Sequence, residues 1–181
     1  LGLAHLVFPG AHHTRFEHSL GVSHVSSMMA NSLGLDSYET DTVSVAALLH
    51  DVGHGPYSHT LEHILHERGG LDHMSITEGI IVGDYDVLRD GEDSSIQNRV
   101  SVPEILENHG IDPKEVAALI RGPDARGSER NLLSWSEGRT NFVQNDKTMA
   151  HLIHGPVDCD QIDYLLRDSH FTGVKHGVID H

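Results

Sequence analysis

Residues 43–55, Val-Ser-Val-Ala-Ala-Leu-Leu-His-Asp-Val-Gly-His-Gly, join an apolar helical pattern directly to a His-Asp pair. The pattern predicts a helix that begins near Thr40 or Asp41, both acceptable N-caps, and is broken by the glycines and proline that follow residue 52. Residues at helical spacing share the inward face of this helix: Val43, Ala47, His50 and His54. Imidazole therefore stands at the end of an apolar stripe.

A second stripe follows Arg15. Its members recur at steps of four, three, four and four residues: His18, Val22, Val25, Met29 and Leu33. The spacing predicts a helix from Arg15 to Leu33 that stops at Gly34. We expect the ring of His18 to point inward.

The last clear helical pattern runs roughly over residues 158–170 and has two different faces. One face is directed to the core and carries Cys159, Ile162, Leu165 and Leu166. The other face carries polar groups suited to lining a pocket: Asp160, Tyr164, Arg167 and Asp168.

The rest of the chain gives weaker patterns. We expect two helices between Thr60 and Val82, separated by a turn at Gly69-Gly70, and a further helix from Pro113 through Leu119. Residues 83–103 and 121–148 are rich in turn-forming and polar residues and predict loops. Strand signals are nearly absent, so the predicted fold class is all-α, with residues 1–181 forming one compact domain. Because the sequence starts at Leu1, we expect it to be a fragment of a longer chain.

Composition narrows the possible partners. The chain is 38% hydrophobic and 22% charged, as in soluble globular proteins, and no apolar run approaches the length of a membrane span. Acidic residues outnumber basic ones by 27 to 12, and the resulting charge of -15 disfavours nucleic acid and anionic membranes as partners. The single Cys159 cannot form an internal disulfide, which favours a reducing, cytoplasmic setting.

The sequence contains 17 histidines, and imidazole is the commonest metal ligand in proteins. Taken singly, a histidine on an apolar face is more often a hydrogen-bonded core residue. Two imidazoles and two carboxylates buried together would carry a large desolvation penalty that a cation offsets. Four residues on three predicted helices therefore form the candidate ligand set for one divalent metal ion: His18, His50, Asp51 and Asp160.

Three ordered motifs carry a resemblance to a known family. They are Arg15-Phe-Glu-His-Ser-Leu-Gly21, His50-Asp-Val-Gly-His-Gly-Pro-Tyr-Ser-His59 and Asp158-Cys-Asp-Gln-Ile-Asp-Tyr-Leu-Leu-Arg-Asp168, preceded by Val7-Phe-Pro-Gly-Ala11. Together they resemble the HD superfamily, specifically its deoxynucleoside triphosphate triphosphohydrolase branch, which includes the sterile-alpha-motif/HD dNTP hydrolases of animal cells.

The resemblance implies an all-α HD fold in which the four residues above bind the metal. It implies that His54, His59 and His73 serve the phosphates and proton transfer, and that Glu62 is an acidic partner for a catalytic histidine. It further implies that Arg15 meets the triphosphate, that Tyr164 packs against the sugar and that Asp168 holds the 3′-hydroxyl. Gln161 departs from the animal enzyme, which has a phosphate-binding lysine at this position.

The reaction that the resemblance implies is hydrolysis of a dNTP to deoxynucleoside and inorganic triphosphate. Two alternatives stay open: another HD chemistry, such as a nucleotide phosphatase or cyclic-nucleotide phosphodiesterase, and a nucleotide-sensing module without turnover. Imidazole and carboxylate ligands suit iron, manganese, nickel or zinc, with magnesium possible once phosphate binds. We expect a nucleotide ligand and a homo-oligomer. Arg15 and Arg167 also have a purely structural interpretation, as ion-pair partners of Glu17 and Asp163.

Overall fold

The computed structural model describes residues 4–55, 72–85, 100–122 and 142–175. In these ranges every regular element is a helix, which confirms the all-α fold class. A short 3-10 helix, Ala4–Leu6, precedes the α-helices. The α-helices are α1 (Arg15–Ser32), α2 (Ser37–Leu49), α3 (His73–Val82), α4 (Val102–Asn108), α5 (Pro113–Arg121), α6 (Phe142–His154) and α7 (Cys159–Thr172).

Helix α1 begins where the sequence predicts. The Thr14 hydroxyl accepts a hydrogen bond from the backbone N–H of Glu17 at 3.2 Å, and the Glu17 carboxylate accepts one from the backbone N–H of Thr14 at 2.6 Å. His18 and Val22 are buried as expected. The end of the predicted stripe is wrong, because Leu33 lies past the last helical residue and is 57% exposed.

Helix α2 begins earlier than the sequence predicts. Its N-cap is Asp36, which forms a reciprocal capping box with Glu39, so the prediction of Thr40 or Asp41 is wrong. The helix ends at Leu49 and His50 is its C-cap, so Asp51 belongs to the turn that follows. The candidate ligand pair His50-Asp51 therefore lies at and just beyond the end of α2.

Two helices, α4 and α6, were not predicted from the sequence, and each begins within a segment predicted to be a loop. Helix α4 begins at Val102, behind the N-cap Ser101, and α6 begins at Phe142, so the loop predictions are wrong at residues 102–103 and 142–148. The polar sequence of α6 contains one apolar stripe, and its buried members are Met149, Leu152 and Ile153. The predictions of α5 and of a helix ending near Val82 are confirmed. The other helix expected after Thr60 and the Gly69-Gly70 turn lie outside the described residues.

The core lies where α1, α2, α5 and α6 meet. Helix α2 packs against the other three, α7 packs along α1, and α3 packs against α5. The side chains that fill this core include Val22, Val43, Ala47, Ile81, Val116 and Leu152. Burial of these side chains fixes the start of α1, the end of α2 and the start of α7 beside one another. Within the described ranges, no helix combines the length and apolar character that a bilayer span requires.

Candidate metal centre

Three helices bring together His18, His50, Asp51 and Asp160, which we call the His/Asp cluster. His18 lies in the first turn of α1, His50 is the C-cap of α2 and is followed by Asp51, and Asp160 lies in the first turn of α7. Asp160 Oδ1 is 2.9 Å from His18 Nε2 and 3.8 Å from His50 Nε2, and Asp51 Oδ1 is 3.4 Å from His50 Nε2. The sequence prediction that these four residues converge is therefore met by the geometry.

The spacing of the cluster fits a single ion. Around an octahedral ion, ligand atoms about 2.1 Å from the centre stand about 3 Å apart when they are adjacent and about 4.2 Å apart when they are opposite. One ligand atom from each of His18, His50 and Asp51 lies within 4.8 Å of the others. These separations are close to those that ligands of one divalent cation adopt.

His50 shows the clearest sign of a ligand role. Its Nδ1–H donates to the carbonyl oxygen of Ala47 at 2.7 Å, so the lone pair of the neutral ring is on Nε2. Nε2 is buried and has no hydrogen-bond partner in the described part of the chain. A buried polar nitrogen without a partner is costly, and a cation bound there satisfies it.

His18 is held from behind by a residue that the sequence analysis did not select as part of the site. Its Nδ1–H donates to Asp163 Oδ2 at 2.7 Å, which turns Nε2 toward Asp160. Without a bound cation, burial alone would lower the pKa of His18, but hydrogen bonds to Asp160 and Asp163 outweigh it and raise the pKa to about 9. A carboxylate behind a ligating imidazole fixes its tautomer and orientation.

Asp163 is itself fixed by Arg167, one turn further along α7. The guanidinium donates from Nε at 2.8 Å and from Nη2 at 2.9 Å to the two carboxylate oxygens, which is the pairing on one helix that the structural interpretation of Arg167 predicts. Gly21 makes room for this pair, because a Cβ there would overlap Asp163 and Arg167. The i, i+4 spacing predicts the Asp163–Arg167 pair, whereas the contact of Asp163 with His18 depends on how α1 and α7 pack.

Asp51 is surrounded by positive and hydrogen-bonding groups. Arg15 Nη1 donates to its Oδ2 at 2.8 Å, and His54 Nε2 lies 3.2 Å from its Oδ1. Burial by itself raises the pKa of Asp51, but the His54 hydrogen bond, His50 and Arg15 together hold the pKa well below its ordinary value. Asp51 is therefore a carboxylate throughout the neutral range, as a metal ligand must be.

His54 stacks on His73, with ring centroids 4.1 Å apart and planes 14° apart. Gly53 permits this contact. Its N–H donates to Thr77 Oγ1 at 3.0 Å, and a Cβ at Gly53 would overlap Thr77 and the His73 carbonyl of α3. The structure thus joins two of the residues assigned to proton transfer. Their proposed companions, His59 and Glu62, lie outside the described residues.

The substrate residues assigned to α7 lie at increasing distance from the cluster. Tyr164 and Asp168 follow Asp160 at intervals of one turn and are partly buried. The Asp168 carboxylate accepts a hydrogen bond from His13 at 2.7 Å. Gln161 lies beside the N-cap Asp158, and its side-chain amide is 3.5 Å from the Asp158 carboxylate.

Comparison with known proteins places this arrangement in a family. The chain is 34% identical to the uncharacterized protein YwfO of Bacillus subtilis, with 99% of this chain and 34% of that protein aligned. It is 31% identical to the deoxynucleoside triphosphate triphosphohydrolase SAMHD1 homolog of Dictyostelium discoideum, with 96% of this chain and 30% of that protein aligned. The chain thus spans about a third of the length of these curated relatives.

The chain is also similar to a solved structure. A phosphohydrolase from Bacteroides thetaiotaomicron superposes with a TM-score of 0.57 at 28% identity, covering 96% of this chain and 34% of that one. The sequence profile of the HD domain matches residues 15–122, which include His18, His50 and Asp51. The chain belongs to the HD domain family.

Proposed function

We propose that this chain is the core of a metal-dependent phosphohydrolase, and that its substrate is a dNTP cleaved to deoxynucleoside and inorganic triphosphate. The observation that carries the proposal is the buried Nε2 of His50, which lacks a hydrogen-bond partner in the described residues and faces the Asp51 and Asp160 carboxylates. Relatives named as a dNTP triphosphohydrolase homolog and as a phosphohydrolase support the same reaction class.

The His/Asp cluster would hold one divalent ion through two imidazole nitrogens and two carboxylates. Such a donor set suits iron, manganese, nickel or zinc, and magnesium once phosphate is bound. The bound ion would supply positive charge that polarises a phosphate oxygen and lowers the pKa of a water molecule. Asp163 would keep the His18 ring aimed at that position through the bond to Nδ1.

The direction of α7 supports cleavage at the α-phosphorus. With a rise of about 1.5 Å per residue, Tyr164 lies about 6 Å and Asp168 about 12 Å along the axis from Asp160. An aromatic ring and a carboxylate in this order match a sugar whose hydroxyl end points away from the cluster. The first phosphate of the nucleotide would then lie beside Asp160, and Tyr164 would pack against the deoxyribose.

Positive charge for the phosphates would come from the start of α1. The Arg15 guanidinium is 44% exposed and lies against Asp51, within reach of any group bound at the cluster. Because Gln161 carries no charge, we assign the phosphate tail to Arg15 and His59, with Gln161 limited to neutral hydrogen bonds. With this assignment, the three phosphates are held together and are released as inorganic triphosphate.

Proton transfer to the departing 5′-oxygen is assigned to His54 or His73. The two rings stack, and His54 also contacts Asp51, so this pair borders the cluster. A histidine in this place can give up a proton near neutral pH. Glu62 would orient the donor, as the resemblance implies.

Product analysis tests the proposal directly. The full-length protein would be incubated with each of the four dNTPs and with manganese, iron, nickel, zinc or magnesium, and the products separated by anion-exchange chromatography. We expect deoxynucleoside and intact triphosphate as primary products. Monophosphate with pyrophosphate, or diphosphate with phosphate, would contradict this reaction and favour another HD phosphohydrolase chemistry. Binding without turnover in every metal would favour the sensing module.

A further inference from the structure

We propose that His13 is a positioning residue that orients the carboxylate of Asp168 and thereby sets recognition of the sugar 3′-hydroxyl. This inference rests on the proposed function and adds to it a residue that neither the motif nor the cluster selects. His13 stands immediately before the N-cap of α1, whereas Asp168 lies near the far end of α7. The two side chains meet across 155 residues of sequence.

The His13 ring is fixed on two sides. One face stacks on Phe171, with centroids 4.8 Å apart and planes 24° apart, and Nε2 lies 2.7 Å from Asp168 Oδ1. An ionised carboxylate can only accept, so Nε2 carries the proton and donates it. The loop that carries His13 also rests on α7, because a Cβ at Gly10 would stand 3.1 Å from the Phe171 carbonyl oxygen.

The solvent exposure of the two side chains indicates that Asp168 can contact a ligand directly and that His13 cannot. The His13 side chain is 1% exposed, whereas the Asp168 side chain is 26% exposed. A ligand can therefore reach the carboxylate and cannot reach the ring. His13 acts on a ligand through Asp168, by holding Oδ1 and so selecting the carboxylate rotamer that faces the sugar.

The consequence is a sugar site that is built before substrate arrives. A carboxylate held by a buried donor loses little rotamer freedom when a hydroxyl binds to it. A site built to hydrogen-bond a substrate hydroxyl also rejects an analogue that lacks it. Removal of the His13 donor should therefore weaken selection for the 3′-hydroxyl and leave the reaction at the phosphorus intact.

The test compares a dNTP with the matching 2′,3′-dideoxynucleoside triphosphate, as kcat/KM on the full-length protein. His13→Leu removes the donor, whereas His13→Gln keeps an N–H near the position of Nε2. A hydrogen bond to a charged group corresponds to about a tenfold to hundredfold effect. We expect His13→Leu to lose about this much on the dNTP and almost nothing on the dideoxy analogue, and His13→Gln to recover most of it.

A double-mutant cycle with Asp168→Ala establishes the route of the effect. If His13 acts through Asp168, adding His13→Leu to Asp168→Ala costs nothing further on the dNTP. Equal losses on both substrates, or a full second loss in the double variant, would overturn the positioning role while leaving the proposed reaction standing. A wild-type protein that hydrolyses no dNTP would overturn the proposed function, and this inference with it.

Discussion

Three histidines of this molecule make the same contact with the backbone, one at the His/Asp cluster and two at the surface. They differ in what surrounds the other nitrogen of the ring. His50 at the end of α2, His109 at the end of α4 and His151 in the last turn of α6 each place Nδ1 within 2.7 or 2.8 Å of a carbonyl oxygen three or four residues earlier. His109 and His151 are exposed, so water satisfies the rest of each ring. The other nitrogen of His50 is buried beside two carboxylates.

We infer from this difference that the surroundings of the second nitrogen distinguish a candidate ligand from a plain helix-end contact. The backbone contact serves only to fix the ring and its tautomer, which is useful in either case. At His50 the fixed ring presents a lone pair toward the carboxylates of Asp51 and Asp160, which is a donor set that suits a divalent cation. The abundance of histidine in this sequence therefore does not indicate where a metal would bind, whereas burial and acidic neighbours favour the His/Asp cluster.

The largest expected effect is on metal affinity, and it should be seen at His50 but not at His151. His50→Ala should lower metal affinity by more than the roughly tenfold to hundredfold that a change behind a ligand costs, because it removes a ligand itself. Activity should fall with it. His151→Ala removes the same kind of backbone contact and should leave both unchanged. Metal content by elemental analysis and affinity by calorimetry measure the difference.

Asp51→Asn tests the same site from the carboxylate side. The amide keeps the shape of Asp51 but loses the negative charge, so metal content and activity should collapse as in His50→Ala. Undiminished metal in both variants would show that the cluster is not the binding site.

The next effect in size concerns the support behind His18. Asp163→Asn weakens the hydrogen bond to Nδ1 and the pairing with Arg167, and should reduce metal affinity about tenfold to a hundredfold. Asp168→Asn is the matched control, since it makes the same chemical change on the same helix away from the cluster. Competition with a chelator measures both affinities. Equal losses would mean that α7 responds as a whole and that Asp163 has no special role.

Gly21→Ala should destabilise the fold by about 1–3 kcal/mol, because its Cβ would overlap the Asp163 and Arg167 side chains. The sign is informative, since glycine to alanine inside a helix ordinarily stabilises by about 1 kcal/mol. His24→Ala, at an exposed position of α1, should show the ordinary stabilising sign. Denaturant unfolding of the metal-free protein measures both variants. A stabilised Gly21→Ala would show that α1 and α7 approach less closely.

Local rules accounted for much of this structure from sequence. Helical spacing and caps predicted the start of α1, the bounds of α5 to within two residues and the polar face of α7. They failed at the start of α2, where several residues can act as N-cap and the reciprocal bond with Glu39 selects Asp36. They failed at α6, whose narrow apolar stripe becomes recognisable only when it packs on α2.

The candidate site likewise contains residues that could be selected from the sequence and residues that could not. The four cluster residues could be selected because each stands at a recognisable place on a helix and in a motif. Asp163 could not, because an aspartate three residues after Asp160 gains its role only from His18, which is 145 residues away in sequence. The partnership of His13 with Asp168 depends in the same way on how two distant segments meet. Residues that hold ligands in place are fixed by tertiary contacts, and no local pattern encodes those.

The smallest expected effect tests a third kind of histidine contact. His154 Nε2 lies 3.0 Å from the carbonyl oxygen of Leu119 and 2.6 Å from that of Ile120, in the last turn of α5, where carbonyl groups lack partners within the helix. Here the ring joins α6 to α5, so its loss should affect stability alone. His154→Ala should lower the free energy of unfolding by about 1 kcal/mol, the usual net value of such a hydrogen bond. His154→Gln keeps a side-chain N–H and should recover part of it. Metal affinity should match wild type in both variants, because this nitrogen faces backbone oxygens rather than the His/Asp cluster. A loss of metal comparable to that of His50→Ala would show that an imidazole contact between two helices is enough to support the site, and the distinction between His50 and the other histidines would fail.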